Sequence, residues 1–181
     1  MDGKWDFLTT AYARSRWRTI FQAALPTNNY DFIAKLPKGS KPQNVFAALQ
    51  QEIKREFGLT GRLETRETDV LLLSVKDPKT GSLRPSTTRH GESSTHYTTG
   101  QLVCLNKPLR TLAGLLEAYF EIPVIDQTGL TGNFDIDLKW NERDWQHRNP
   151  DALKQALVAQ LGLELVPSRE PIEMLVVEKT R

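Results

Sequence analysis

Cysteine, long apolar runs and a surplus of one charge are all scarce in this sequence, and each shortage excludes a class of protein. The one cysteine, Cys104, cannot form an internal disulfide and cannot build a metal site by itself. No apolar run approaches the roughly 18 residues of a membrane-spanning helix. The 24 basic and 22 acidic residues are interspersed, without a dense Lys/Arg run to follow a phosphate backbone. We therefore expect neither a nucleic-acid partner nor direct membrane insertion of this chain.

The length of 181 residues, with 39% hydrophobic and 25% charged residues, is typical of one globular domain or two small ones. The first residues, MDGKWDFLTT, lack the basic and apolar regions of a secretory signal. Two interpretations follow. The protein is cytoplasmic if Met1 is the native start, or a longer native chain carries a targeting sequence, with or without a further domain, upstream.

Hydrophobic spacing and helix caps divide the chain into short helices and strands. Before residue 77 they predict a helix over 5 to about 13, an extended segment over 17–21, a strand over 28–37, a helix from the Ser40 cap to Gly58, and two strands in RLETRETDVLLLSV. After residue 100 they predict a strand in QLVCLN, a helix through Leu109 and Tyr119, strands in IPVIDQ and NFDIDLKW, a helix over 152–161, and a strand pair in LELVPSREPIEMLVVEKT. The polar stretch between them, 77–100, predicts a flexible linker or long loop.

The two parts overlay when the sequence is shifted by 104 residues. NYDFIAKL (29–36) then lies over NFDIDLKW (133–140), and Leu8 over Leu112, Gly58-Leu59 over Gly162-Leu163 and Leu71 over Leu175. We interpret this as an internal duplication. It predicts an α+β fold in which a helix-strand-strand-helix-strand-strand module with small mixed sheets occurs twice, over 1–76 and 101–181, joined by 77–100. Tyr30 should match Phe134, and Phe57 should match Leu161.

The strand NFDIDLKW carries Asp135 and Asp137 on its polar face. Paired carboxylates perform acid–base catalysis only where their surroundings separate their pKa values. The duplication aligns Asp137 with Ile33, so the carboxylate is not repeated. Acidic residues on the polar face of a strand are usually solvated. We therefore interpret the strand as scaffold and predict no catalytic residue in it.

No other group of residues predicts catalysis, a cofactor or a metal. His90, Glu92 and His96 match no ligand spacing of a known metal site. Cys104 lies in an apolar strand and is expected to be a small buried residue rather than a reactive thiol. The alternatives of a small hydrolase using 90–96 and of a small-ligand-binding domain stay open.

Several stretches resemble a family of bacterial proteins of unknown function, typically secreted or membrane-tethered, with some members attached to beta-lactam-sensor-type metallopeptidases. The matching stretches are YDFIAKLP, ETRETDVLLLSV, LRPS, IPVIDQTGLTGNFDIDLKW and ALVAQLGLELVPSREPIEMLVVEK. The block PVIDQTGLTG (123–132) is the most specific of them. Each half also resembles the short N-terminal domain of secretins and TonB-dependent receptors. The resemblance implies a periplasmic or exported setting and a binding role, and it supplies no catalytic residues.

The predicted function is a non-enzymatic extracytoplasmic module for protein interaction or sensing. Such a module can bind a protein or peptide by adding a strand at an exposed sheet edge. The strands over 29–36 and 133–140 are predicted as edges, and the apolar strands at Leu71 and Leu175 as central. Trp140, Arg143 and Trp145 lie at the end of the second edge, and Trp and Arg are enriched in interface hot spots. We therefore predict that a partner contacts 133–145.

Overall fold

The structure is a computed structural model that describes residues 6–25, 30, 33, 35, 37, 39, 41–77, 83–87, 92–142 and 147–180. The fold is α+β, as predicted, with small mixed and antiparallel sheets. The helices are α1 (Asp6–Tyr12), α2 (Pro42–Phe57), α3 (Leu109–Phe120) and α4 (Pro150–Ala156), which continues as a π-helical turn over Leu157–Leu161. The strands are β1 (Thr19–Phe21), β2 (Leu59–Val75), β3 (Arg84–Pro85), β4 (Ser94–Thr98), β5 (Gln101–Lys107), β6 (Val124–Asp126), β7 (Phe134–Lys139) and β8 (Leu163–Lys179).

The chain divides into two compact units. Unit 1 is Met1–Thr68 with Glu170–Arg181, and unit 2 is Asp69–Arg169. The long strands β2 and β8 therefore contribute residues to both units. The module boundaries predicted from the repeat, 1–76, 77–100 and 101–181, stay predictions.

Strand pairing follows the same plan in each unit. In unit 1 the strand order is β1-β8-β2, and β1 runs parallel to β8 with Thr19 opposite Leu175. In unit 2 the order is β8-β2-β6, and β6 runs parallel to β2 with Val124 opposite Leu71. Unit 2 also holds a second sheet of order β3-β7-β5-β4. The prediction that the strands at Leu71 and Leu175 are central is confirmed.

β2 and β8 are single strands, and the prediction of two strands around a polar turn in each is wrong. Each runs without a break for 17 residues. The polar residues that suggested a turn are largely exposed along the strands and form ion pairs there, including Arg169 with Asp69 at 3.0 Å in unit 2 and Arg62 with Glu178 at 3.4 Å in unit 1. An exposed stretch of strand is as polar as a turn, so composition did not separate the two.

The predicted linker 77–100 contributes two strands among its described residues. β3 pairs with β7, and β4 pairs with β5 along its whole length, from Ser94 opposite Leu105 to Thr98 opposite Gln101. Four of the five β4 residues are exposed. An exposed strand needs no alternation of apolar residues, which explains why no apolar periodicity indicated a strand here.

Each unit has its own hydrophobic core, and equivalent positions at the 104-residue shift are often buried alike. Leu8 and Leu112 are both 0% exposed, as are Ile53 and Leu157. The helices α2 and α4 both lead to a left-handed glycine, Gly58 with φ 61° and Gly162 with φ 68°, a conformation that favours glycine over residues with a Cβ. The predicted helix start at Asn149 is confirmed, because its side chain accepts a hydrogen bond from the backbone N–H of Ala152 at 3.1 Å.

The two residue matches predicted from the duplication have different outcomes. Phe57 and Leu161 are each the last residue before the left-handed glycine, as predicted. Phe134 begins β7, whereas Tyr30 lies in no strand. Most of the strand predicted over 28–37, and the Ser40 cap, lie outside the described residues.

Candidate functional site

The predicted partner-binding residues lie at the end of β7. Trp140 directly follows this strand, is half-buried and packs against the core of unit 2. Arg143 and Trp145 lie outside the described residues. The structure therefore locates the first of the three predicted residues only.

Trp140 belongs to a group of three rings, here called the aromatic cluster, made of Tyr97, Tyr119 and Trp140. Tyr97 stacks on Trp140 with ring centroids 6.1 Å apart and an angle of 28°. Tyr119 meets Trp140 edge-on at 5.8 Å. Offset stacks and edge-on contacts are the favourable geometries for aromatic pairs. The cluster joins β4, α3 and the end of β7 in unit 2.

Polar groups fix the aromatic cluster in position. The Glu142 carboxylate accepts hydrogen bonds from the indole Nε1 of Trp140 and from the Tyr119 hydroxyl, the latter at 3.2 Å. The Tyr119 hydroxyl accepts the backbone N–H of Asn149 at 3.0 Å. Arg148 donates to the Tyr119 carbonyl at 2.7 Å, and its guanidinium lies 5.5 Å from the ring centroid. This network ties the end of β7 to α3 and to the start of α4.

The environment of the aromatic cluster keeps its phenols protonated. Burial, reinforced by the nearby Glu142 carboxylate, raises the pKa of Tyr97 to about 12. Burial is also the largest cause that raises the pKa of Tyr119. Neither hydroxyl has the pKa near neutrality that a general acid or base needs. The cluster is therefore suited to packing and contact, not to proton transfer.

The prediction that the strand over 133–140 is a sheet edge is wrong. β7 lies between β5 and β3, with Asp135 opposite Arg84. Beyond β3, the side-chain amide of Gln160 takes the place of a strand partner: its oxygen accepts the Lys139 N–H at 3.1 Å and its nitrogen donates to the Lys139 carbonyl at 2.5 Å. No local pattern in the sequence indicates this contact, because it joins a helix to a strand 21 residues away.

The exposed edge on the other side of this sheet is β4. It is the last strand in the order β3-β7-β5-β4, and within the described part of the chain its strand partner is β5 alone. Its sequence, STHYT, contains no proline, lysine or acidic residue. Charge, proline and bulges are the usual devices that protect an edge from adding another strand. β4 carries none of them in its sequence.

Asp135 and Asp137 have structural contacts. The Asp135 carboxylate accepts the backbone N–H of Asn106 at 2.8 Å, where Asn106 has a φ of 54° and interrupts the β5–β7 register. Asp137 accepts from the Gln101 amide at 2.7 Å and pairs with Lys139 at 3.1 Å. The Gln101 hydrogen bond is the largest cause that lowers the pKa of Asp137. Both carboxylates thus fasten β7 to its surroundings.

The other residues singled out in the sequence have separate positions. His96 lies in β4 opposite Val103, and His90 lies outside the described residues. Among the residues that the structure describes, no group of three His, Cys, Asp or Glu is placed to hold a metal ion. Cys104 is fully buried, as predicted, and burial raises the pKa of its thiol.

An apolar pocket of unit 2 was missed at the sequence level. Its volume is about 250 Å³, and it is lined by Val75, Asp77, Leu83, Pro85, Leu130, Phe134, Leu161 and Leu163. These residues come from β2, β3, β7, β8, the π-helical turn and the loops between them, so no local pattern could bring them together. We call this the Leu130 pocket.

The loop that carries Leu130 is held by hydrogen bonds from its own residues. The Asp126 carboxylate accepts from the backbone N–H and the hydroxyl of Thr128, at 3.1 and 2.7 Å, which is an Asx turn. Gly129 then takes a left-handed φ of 67°. The turn leaves Leu130 41% exposed at the rim of the pocket. The loop lies within the block 123–132, on which the family resemblance in the sequence analysis depends most.

The described residues define an α+β protein whose most distinctive surfaces are an exposed strand edge and a small apolar pocket. The chain belongs to the family described as "Protein of unknown function (DUF3738)", which matches residues 6–180. Comparison with curated proteins and with solved structures found no match to the chain. None of the described helices is long and apolar enough to span a membrane.

Proposed function

We propose that this protein is a non-enzymatic interaction module that binds an extended segment of a protein partner as an added strand beside β4. The observation that carries the proposal is the terminal position of β4 together with its exposed, uncharged sequence. Backbone hydrogen bonds supply affinity in this mode of recognition, and side-chain contacts supply specificity.

The register of the β4–β5 hairpin identifies backbone groups that would meet the partner. Thr98 lies opposite Gln101 across the two-residue turn, so this pair exchanges backbone hydrogen bonds in a two-residue hairpin. Hydrogen-bonded and non-hydrogen-bonded pairs alternate along an antiparallel ladder. Thr95, opposite Cys104, is then in a non-hydrogen-bonded pair, and its N–H and carbonyl point away from β5.

The aromatic cluster connects one of the predicted contact residues, Trp140, with the same strand. Tyr97 belongs to β4 and stacks on Trp140. Tyr97 therefore links the exposed strand to Trp140, which follows β7 on the far side of β5, and Arg143 and Trp145 follow Trp140 closely in the chain. We retain Trp140, Arg143 and Trp145 as partner contacts on this basis, with β4 in place of β7 as the edge.

The setting outside the cytoplasm is part of the proposal. It is supported by the resemblance to secreted and membrane-tethered bacterial proteins and by the weaker resemblance of each half to the short N-terminal domain of secretins and TonB-dependent receptors. The internal duplication is proposed likewise, supported by the 17-residue strands β2 and β8, which begin 104 residues apart. Fractionation of native cells would test the setting directly, and recovery from the cytoplasm alone would contradict it.

A pair of variants at one position tests strand addition. Thr95→Pro removes the outward N–H, and proline is tolerated on an edge where its missing N–H would face solvent. Thr95→Val removes the same hydroxyl but keeps the N–H. Wild type and both variants would be used to capture partners from native membranes, with quantification of each captured protein.

We expect Thr95→Val to recover the same partner as the wild type and Thr95→Pro to lose it. Equal recovery with the proline variant would reject strand addition at β4. A third bait, with Arg143→Ala and Trp145→Ala together, tests the retained contact residues. Unchanged recovery with that bait would remove them from the site without affecting the conclusion about β4.

A further inference from the structure

The proposed repeat aligns two residues that line the Leu130 pocket, Leu161 and Phe134, with Phe57 and Tyr30 of unit 1. In unit 1, α2 ends at Phe57, before the left-handed Gly58. The Phe57 ring meets Tyr30 edge-on at 4.8 Å and lies 5.7 Å from the ring of Phe7. Two aromatic rings therefore lie next to the Phe57 ring at this helix end.

Unit 2 has smaller groups at the same place. Leu161 stands where the repeat places Phe57, before the left-handed Gly162, and Phe134 stands where it places Tyr30. Both residues line the Leu130 pocket. A leucine thus replaces a phenylalanine at the helix end of the unit that has an open pocket there.

We propose that the Leu130 pocket binds one aromatic side chain, of the size of phenylalanine, from a polypeptide partner. The inference rests on the proposed function in one respect, that the ligand is a polypeptide, and it does not require strand addition at β4. The ring would lie beside Leu161, the residue that the repeat aligns with the larger Phe57 of unit 1.

The size of the pocket favours a single side chain over a whole small molecule. Apolar cavities of about 150 Å³ accept a benzene ring, whereas pockets for complete drug-sized ligands measure about 300–1,000 Å³. The Leu130 pocket, at about 250 Å³, lies between these values. Pockets that receive one buried anchor residue are also where interface binding energy concentrates.

The lining of the pocket fits a neutral ring. Its walls are formed by aliphatic side chains, one phenylalanine and one proline, with Asp77 as the acidic residue of the lining. Leu130, exposed to 41%, lies at the rim, where it can fold over an inserted group. An aromatic side chain removes more apolar surface from water than any aliphatic one, so it gains the most from such walls.

The first measurement follows the methyl NMR signals of Val75, Leu83, Leu130, Leu161 and Leu163 in the full chain. The probe is N-acetyl-phenylalaninamide, and the matched control probe is N-acetyl-alaninamide, which has the same backbone and no ring. We expect saturable shifts of these methyl signals with the phenylalanine probe and none with the alanine probe.

Two variants and one matched control locate the binding. Leu161→Phe supplies the ring that unit 1 has, so it should abolish the shifts. Leu130→Glu places a charge at the exposed rim, where folding tolerates it, and should weaken binding even if Leu161→Phe does not fold. Leu63→Phe adds the same ring at a leucine of unit 1 that is 49% exposed, and should leave the shifts unchanged.

The second measurement establishes that the ligand is a polypeptide. Selection from a random displayed peptide library should enrich an aromatic residue at one fixed position with wild type and with Leu63→Phe, and this enrichment should be lost with Leu161→Phe or Leu130→Glu. Absence of saturable shifts, equal shifts with the alanine probe, or selected peptides without a fixed aromatic position would each overturn the inference. The Thr95→Pro variant should still bind the phenylalanine probe, so failure of strand addition at β4 is distinguishable from failure of the pocket.

Discussion

The two units have different side chains at one pair of equivalent positions, of which one lies in a helix and the other in a strand. In unit 1, Tyr12 packs onto Gly61: the Tyr12 hydroxyl accepts the Gly61 N–H at 2.7 Å, and a Cβ at Gly61 would lie 2.6 Å from the ring. The residues 104 positions later are Leu116, which is 1% exposed, and Leu165, which is partly buried against the same core. A tyrosine ring that packs on a glycine in unit 1 thus corresponds to two leucines in unit 2.

If the proposed duplication is correct, the two positions of such a pair must change together. Hydrophobic cores accept simultaneous changes when the total volume is conserved, whereas a single change creates a clash or a void. The pair in unit 1 also contains a hydrogen bond that two leucines cannot make. Two leucines are also bulkier than a tyrosine and a glycine together, so the residue that fits at one position depends on the residue at the other, and we expect the two positions to change as a pair.

The largest expected effect compares the centres of the two cores. Leu8→Ala in unit 1 and Leu112→Ala in unit 2 each remove a side chain that is 0% exposed. Each should lower the free energy of unfolding by about 2–5 kcal/mol, through lost burial and the cavity left behind. Urea unfolding measures the loss, and amide hydrogen exchange shows which residues lose protection. If either substitution costs less than a surface change, the two positions are not equivalent core positions.

The next effect tests the Tyr12–Gly61 pair itself. Gly61→Leu alone should destabilise unit 1 by about 1–3 kcal/mol, because its side chain would overlap the Tyr12 ring and Leu175. Tyr12→Leu alone leaves a void and an N–H without its hydroxyl acceptor. The double variant reproduces the leucine pair of unit 2 and should be more stable than the sum of the single changes predicts.

A double-mutant cycle by urea unfolding measures that coupling. The matched cycle in unit 2 uses Leu116→Tyr and Leu165→Gly, singly and together. Additive losses in both cycles would show that the two positions of each pair do not depend on each other.

The fold followed from the sequence where each element carried its own local signal. Gly58 and Gly162 marked helix ends, Asn149 marked a helix start, and the apolar strands at Leu71 and Leu175 proved central. Such signals arise from backbone conformation and burial within a few residues.

The errors occurred where distant residues decide the outcome. β2 and β8 looked interrupted because their exposed middle residues are as polar as a turn. β7 was predicted as an edge because no residue near it in sequence indicates that the Gln160 side chain hydrogen-bonds to the Lys139 backbone. The Leu130 pocket is assembled from parts of the chain that are far apart in sequence, so no local pattern indicated it.

A smaller loss of stability is expected from the aromatic cluster of unit 2, and it appears only at alkaline pH. Burial and Glu142 raise the pKa of Tyr97 to about 12, above the value of about 10 for an unfolded tyrosine. The folded state therefore holds its proton over a range in which the unfolded state releases it. Stability is fully retained below about pH 10 and falls as the pH rises from about 10 to 12.

Tyr97→Phe should reduce this alkaline loss, since it removes the ionising group and keeps the ring on Trp140. Urea unfolding between pH 9 and 12 would compare the variant with the wild type, and phenolate absorbance would follow the titration. Identical slopes for the two proteins would contradict the assignment to Tyr97.

The smallest expected change in stability comes from two ion pairs whose carboxylates are aligned by the 104-residue shift. The 104-residue shift places Asp69 of unit 2 over Glu173 of unit 1, yet Asp69 pairs with Arg169 and Glu173 pairs with Arg14. The Arg169 side chain is 65% exposed and the Arg14 side chain 31%. Exposed ion pairs contribute about 0–1 kcal/mol, because solvent screens the attraction and two long side chains lose freedom. Arg169→Ala should therefore leave the free energy of unfolding nearly unchanged, whereas Arg14→Ala should cause a small loss that shrinks at high salt. Urea unfolding at low and at about 1 M salt distinguishes the two, and a larger loss for Arg169→Ala would show that exposure does not rank these pairs.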